Sequence, residues 1–107
     1  MGGVPATAAA AILAQAVVSG DLGFASAVLS NSASRGLAIM TSSLEDPQAY
    51  TVLWAESSGP EYARVLVEFT DRISGADAQD VAKSFLFEVR VNHSGALIIG
   101  VYNGPAQ

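Results

Sequence analysis

Tyr62-Ala63-Arg64-Val65-Leu66-Val67-Glu68-Phe69 and Phe85-Leu86-Phe87-Glu88-Val89-Arg90-Val91 decide the fold. In the first segment Ala63, Val65, Val67 and Phe69 take every odd position, and Arg64, Glu68 and Thr70 fall among the even ones. The second repeats this, with Val81, Phe85, Phe87, Val89 and Val91 odd against Ser84, Glu88, Arg90 and Asn92 even. Alternation with period two is the mark of a strand buried on one face and wet on the other. Strands are predicted over Glu61–Ile73 and Val81–His93, joined into an antiparallel hairpin by Ser74-Gly75-Ala76-Asp77. The Arg64/Glu68 and Glu88/Arg90 sets then share the solvent face as a charge ladder, each opposite pair contributing about 0.2–1 kcal/mol.

Outward from the hairpin, Tyr50–Glu56 reads as a strand closed by Ser57-Ser58-Gly59-Pro60, and Ala96–Tyr102 as another, opened by Asn92-His93-Ser94-Gly95. Three successive hairpins make a four-stranded meander. Upstream of Glu45-Asp46-Pro47 the pattern is helical. Pro5 to Ser19 is alanine-rich, begins on a proline and ends at Gly20, with Ile12, Leu13, Ala16 and Val17 on one face. Asp21 is placed to cap a second short helix through Ser30, carrying Leu22, Ala25, Val28 and Leu29. Ser32 or Ser34 is placed to cap a third segment reaching about Ser43, with Leu37, Met40 and Leu44 apolar and Gly36 diluting its propensity. The fold class is α+β, N-terminal helices on a curved four-stranded antiparallel sheet, in one domain over residues 1–107.

Half of the 107 residues are apolar and 14% are charged, a composition that folds rather than staying disordered. The net charge is −5, and Arg35, Arg64, Arg72, Lys83 and Arg90 are scattered, so no basic patch meets a nucleic-acid backbone. The chain has no cysteine, which excludes disulfides, thiol nucleophiles and thiolate zinc sites. The apolar run Ala6–Val18 is too short and alanine-rich to span a bilayer and follows no basic leader. If Met1-Gly2-Gly3 is a cloning remnant on an excised domain, a membrane anchor removed from upstream of it would not be visible in this sequence.

No catalytic or metal-binding set emerges, and no cofactor is expected. His93 is the single histidine. Asp71 is the one acid on the buried-face parity of the second strand, but the hairpin puts these two at opposite ends of the sheet, about 30 Å apart at about 3.3 Å per residue. Asp71 and Arg72 point to opposite faces as neighbours in a strand, and read as an edge-of-strand acid beside a solvated arginine. Asn92-His93-Ser94 matches the glycosylation acceptor pattern, a short one. Gly20, Gly23 and Gly36 match no nucleotide fingerprint, and Asp77, Asp80, Glu45 and Asp46 are too sparse for a calcium loop. The aromatic residues remain. Tyr50, Val52 and Trp54 are expected on one face of the first strand and Phe69, Phe85 and Phe87 on the core face of the next two. An apolar pocket between helices and sheet would be lined by Phe24, Leu37, Met40, Trp54, Phe69 and Phe87.

Val17-Val18-Ser19-Gly20-Asp21, then Phe24-Ala25-Ser26-Ala27-Val28-Leu29-Ser30, then the long hairpin together resemble the cystatin-like cone of the nuclear transport factor 2 superfamily (NTF2-like). Within it the chain is most similar to the extracytoplasmic domains of VirB8/TcpC-like conjugation proteins. That resemblance implies a non-catalytic scaffold of a bacterial conjugation or type IV secretion apparatus, working through protein-protein contacts and self-association. An exposed sheet face or an uncovered cone mouth would be the contact surface. It also implies a place on the extracytoplasmic face of a membrane if an anchor was removed, and the cytoplasm otherwise. Two other functions compete: a module binding a small apolar ligand in the pocket above, and a ketosteroid-isomerase-like enzyme. The enzyme would need an acid on the inward face, where the middle of strands two and three is apolar.

Overall fold

The computed structural model describes residues 3–75 and 77–104. The chain is α+β: helix α1 (Gly3–Ser19), 3-10 helices at Leu22–Val28 and Asn31–Ala33, helix α2 (Ser34–Ser43), then β1 (Pro47–Ser57), β2 (Tyr62–Ile73), β3 (Gln79–Asn92) and β4 (Gly95–Asn103). The strands form one antiparallel sheet in sequence order, β1-β2-β3-β4, the expected meander. Ala76, in the β2–β3 turn, lies outside the described residues.

Alanine makes α1 what it is. It costs least in a helix, and Ala6, Ala9, Ala10, Ala14 and Ala16, buried with Leu13 and Val17, let the helix lie close on the sheet. The same core holds Val65, Val67 and Phe69 of β2, Phe85, Phe87 and Val89 of β3, and Ile98 and Val101 of β4. Phe69 and Phe85 meet edge to face, ring centres 6.0 Å apart. Gly20 ends α1 at φ 77°, the left-handed geometry expected of it.

The segment after α1 departs from the expectation. Asp21 makes no side-chain cap; its carbonyl accepts from Phe24 N, and the helix that follows is 3-10 and stops at Val28. Leu29 turns extended and bridges Ile98, and Ser30 N donates to Ile98 O. Edge pairing thus takes over from helix propensity, and the unpaired side of β4 is covered there. Ser30, not Ser32 or Ser34, supplies the side-chain cap of the next turn, accepting from Ser32 N. Gly36 is more than a weak helix former: a Cβ there would overlap Val101 O, so glycine lets the backbones of α2 and β4 touch.

Candidate functional site

Register decides which side chains share a face. In the β2–β3 pair Tyr62 stands opposite Arg90, Arg64 opposite Glu88, Leu66 opposite Leu86, and Glu68 opposite Ser84. These are the even positions, and they point away from α1. Across β3–β4, Leu86 faces Tyr102 and Arg90 faces Leu97, with a register shift after Glu88. Across β1–β2 a register shift at Leu53 pairs Val52 with Val67 but Trp54 with Leu66. Such a bulge reverses the alternation. Trp54 therefore leaves the face of Tyr50 and Val52, where simple alternation put it, and joins the outer face.

The outer face thus carries one apolar row crossing all four strands: Trp54, Leu66, Leu86 and Tyr102. Leu66 is 2% exposed although it stands outside the helix-side core. Trp54 and Tyr102, at the ends of the row, are 39% and 54% exposed. Gly100 makes room for the tyrosine: a Cβ there would lie 2.6 Å from Tyr102 Oη. The even face is therefore wet only in part.

Charges frame the row. Arg64 reaches across to β1, its Nη2 donating to Glu56 Oε1 at 2.7 Å, rather than to Glu68 or Glu88. Among the described residues the side chains of Glu68, Glu88 and Arg90 make no hydrogen bond or ion pair. Tyr62 and Leu97 extend the exposed apolar surface past this charged row.

The buried side of the sheet holds one acid, Asp71, and it is no edge residue. It is fully buried. Its Oδ1 accepts from Asp46 N at 2.8 Å, and its Oδ2 from Glu45 N at 3.0 Å and Lys83 Nζ at 2.8 Å. Lys83 Nζ also donates to Ser43 O, at the end of α2. Burial alone would raise the Asp71 pKa; the Lys83 hydrogen bond, the two backbone donors and the Lys83 charge outweigh it and hold the carboxyl below its ordinary value. An ionised carboxylate with both oxygens engaged is the opposite of a general base poised near neutrality. It ties the α2–β1 connection to the sheet. Arg72 points outward, as alternation requires, and pairs with Asp80 at 3.0 Å.

His93 lies in the exposed β3–β4 turn, beyond the end of β3 remote from Asp71, which pairs with Val81. Asn92 Oδ1 in that turn accepts from Ser94 N and Ser94 Oγ at 2.9 and 2.6 Å. Of the six pocket residues, Phe69, Phe87 and Met40 are buried in the core and Leu37 packs partly against it. Phe24 is exposed on the 3-10 helix and Trp54 on the outer face. A depression of about 190 Å³ beside Met40 is lined also by Gly36, Ile39, Phe85, Val101 and Tyr102. Another of about 260 Å³ lies among Val17, Leu22, Leu44 and Pro47.

Among the described residues no group of three or more acidic or histidine side chains could hold a metal ion, and no helix is long and apolar enough to cross a membrane. Comparison of the chain with protein-family models, with curated proteins and with solved structures gave no match.

Proposed function

We propose that this chain is a non-catalytic assembly domain that works through protein contacts, as its NTF2-like and VirB8/TcpC-like resemblance implies for a bacterial conjugation or type IV secretion apparatus. In that setting it stands on the extracytoplasmic side of the membrane, held there by an anchor on a longer protein. The observation that carries the reading is the outer-face row of Trp54, Leu66, Leu86 and Tyr102, which no helix among the described residues covers, bordered by Glu68, Glu88 and Arg90, whose side chains have no partner among those residues. Apolar surface gains about 25 cal/mol per Å² when it leaves water, and a contiguous patch with a polar rim is the usual form of a protein contact site. The engagement of both Asp71 oxygens favours a structural over a catalytic use of the buried acid.

Site-specific photo-crosslinking in the native cell tests it. A photoreactive phenylalanine at position 54 or 102 is expected to give discrete protein adducts, and the same group at the exposed Gln15 of α1 is not. Adducts absent from both sheet positions, or equal at all three, would overturn the reading.

A further inference from the structure

We infer that the occupant of the outer sheet face is a second copy of this chain, set by a twofold axis running parallel to the strands between β2 and β3. This rests on the outer face being a contact surface, and it follows from the register. A twofold so placed lays β2 of one copy over β3 of the other, and β1 over β4. Leu66 then meets Leu86 of the second copy, and Trp54 meets Tyr102 of the second copy. Arg64 meets Glu88 of the second copy, and Tyr62 meets Arg90 of the second copy, an arginine on an aromatic ring. Glu68 meets Ser84 and Arg72 meets Asp80. Along the β2–β3 register no charged side chain is set over a like charge, because residues that complement one another across β2 and β3 within the chain do so again across the interface. Each contact occurs twice, as an isologous interface requires.

Arg64 and Arg72 already have partners within the chain, but other members of these contacts do not. Among the described residues the side chains of Glu88 and Arg90 have no hydrogen-bond or ion-pair partner, and Trp54 and Tyr102 are the exposed ends of a row whose centre, Leu66, is already dry. Sheets packed face to face lie about 10 Å apart with strands aligned within about 30°. At about 4.8 Å between strands and 3.3 Å per residue, the face from Tyr62 to Thr70 measures about 19 by 27 Å. Two such faces cover roughly 1,000 Å², at the small end of specific interfaces. Interfaces below about 1,200 Å² belong with weak, transient contacts, so a reversible dimer dissociating on the micromolar scale is expected.

The competing twofold, along the apolar row instead of along the strands, sets Arg64 over Glu68 of the second copy. Sedimentation equilibrium on the purified chain separates the two. The R64E and E88R variants are each expected to weaken the dimer by about tenfold, and the R64E/E88R swap to restore it to within about threefold, with E68K close to wild type. Circular dichroism melts confirm that each variant is folded. R64E also ends the Glu56 pair, so Tyr102→Ser provides a second probe: Tyr102 is exposed and its hydroxyl has no hydrogen-bond partner among the described residues, and the change should weaken the dimer by a similar factor. A dimer broken by E68K and not rescued by the swap overturns this axis. A chain that stays monomeric while position 54 still crosslinks to other proteins overturns the second copy and leaves the contact surface standing. Monomer and no adducts together overturn both.

Discussion

Replacing Lys83 with methionine keeps the aliphatic stem and removes the cationic partner of a fully buried carboxylate. Asp71 retains its donors at Glu45 N and Asp46 N, but the ammonium 2.8 Å from Oδ2 is gone, and Ser43 O at the end of α2 loses its donor as well. Breaking a buried ion pair from one side costs about 3–5 kcal/mol. The Lys83 side chain is 29% exposed, so water screens part of the interaction and about 2–3 kcal/mol is expected. For a domain of this size that is a fall of about 8–15 °C in melting temperature. Urea denaturation followed by circular dichroism at pH 7 reads the change. Asp71→Asn adds the pH test. The folded-state pKa of Asp71 lies below its ordinary value of about 3.9. The stability it contributes is therefore fully present above that value and lost as pH falls through the folded pKa. The gap between wild type and D71N should be constant from pH 5 to 7 and close progressively below about pH 4. Because Asp71 also holds two backbone N–H groups, replacing the pair with two apolar residues should not recover wild-type stability. A K83M variant within about 0.5 kcal/mol of wild type, or a gap that widens in acid, would refute the reasoning.

Three further outcomes follow from the packing. Gly36→Ala favours the helix by about 1 kcal/mol in isolation, yet it should destabilise the protein by about 1–3 kcal/mol because the added methyl overlaps Val101 O, as chemical denaturation will register. Phe87→Ala empties the centre of the core and should cost about 3–5 kcal/mol, enough to populate the unfolded state in a thermal melt begun at room temperature. His93→Ala, in an exposed turn, should leave the melting temperature unchanged.

Alternation alone located the hairpin, because β2 and β3 are long and buried on one side, and the paired rows Arg64–Glu88 and Leu66–Leu86 follow directly from it. The alanine face of α1 and the turn at Gly20 were legible for the same local reasons. Two features of the candidate site were not. Trp54 changed faces through a bulge at Leu53, which depends on the pairing of β1 with β2 and leaves no mark in β1 itself. Lys83 reads in the sequence as one of five scattered cations, although it shares the odd parity of Phe85 and Phe87 and sits one inward position along β3 from Val81, the partner of Asp71. A lysine and an acid on the inward parity of adjacent strands, at the same end of a hairpin, was the signal that could have found the pair. Leu29 escaped the helix for a nonlocal reason as well, its bridge to Ile98 nearly seventy residues away.

Trp54 is the chain's one tryptophan and stands at the end of the apolar row, so its fluorescence reports directly on whether that face is covered. Emission and iodide quenching should be measured from about 1 to 300 µM, a span that brackets a micromolar dissociation constant, with mass by sedimentation on the same samples. A second copy on the outer face predicts that emission moves to shorter wavelength and quenching falls as dimer forms, both changes lost in R64E and regained in R64E/E88R. Emission and quenching that stay constant while the mass doubles would put the dimer contact elsewhere, and constancy of all three would contradict self-association through the sheet.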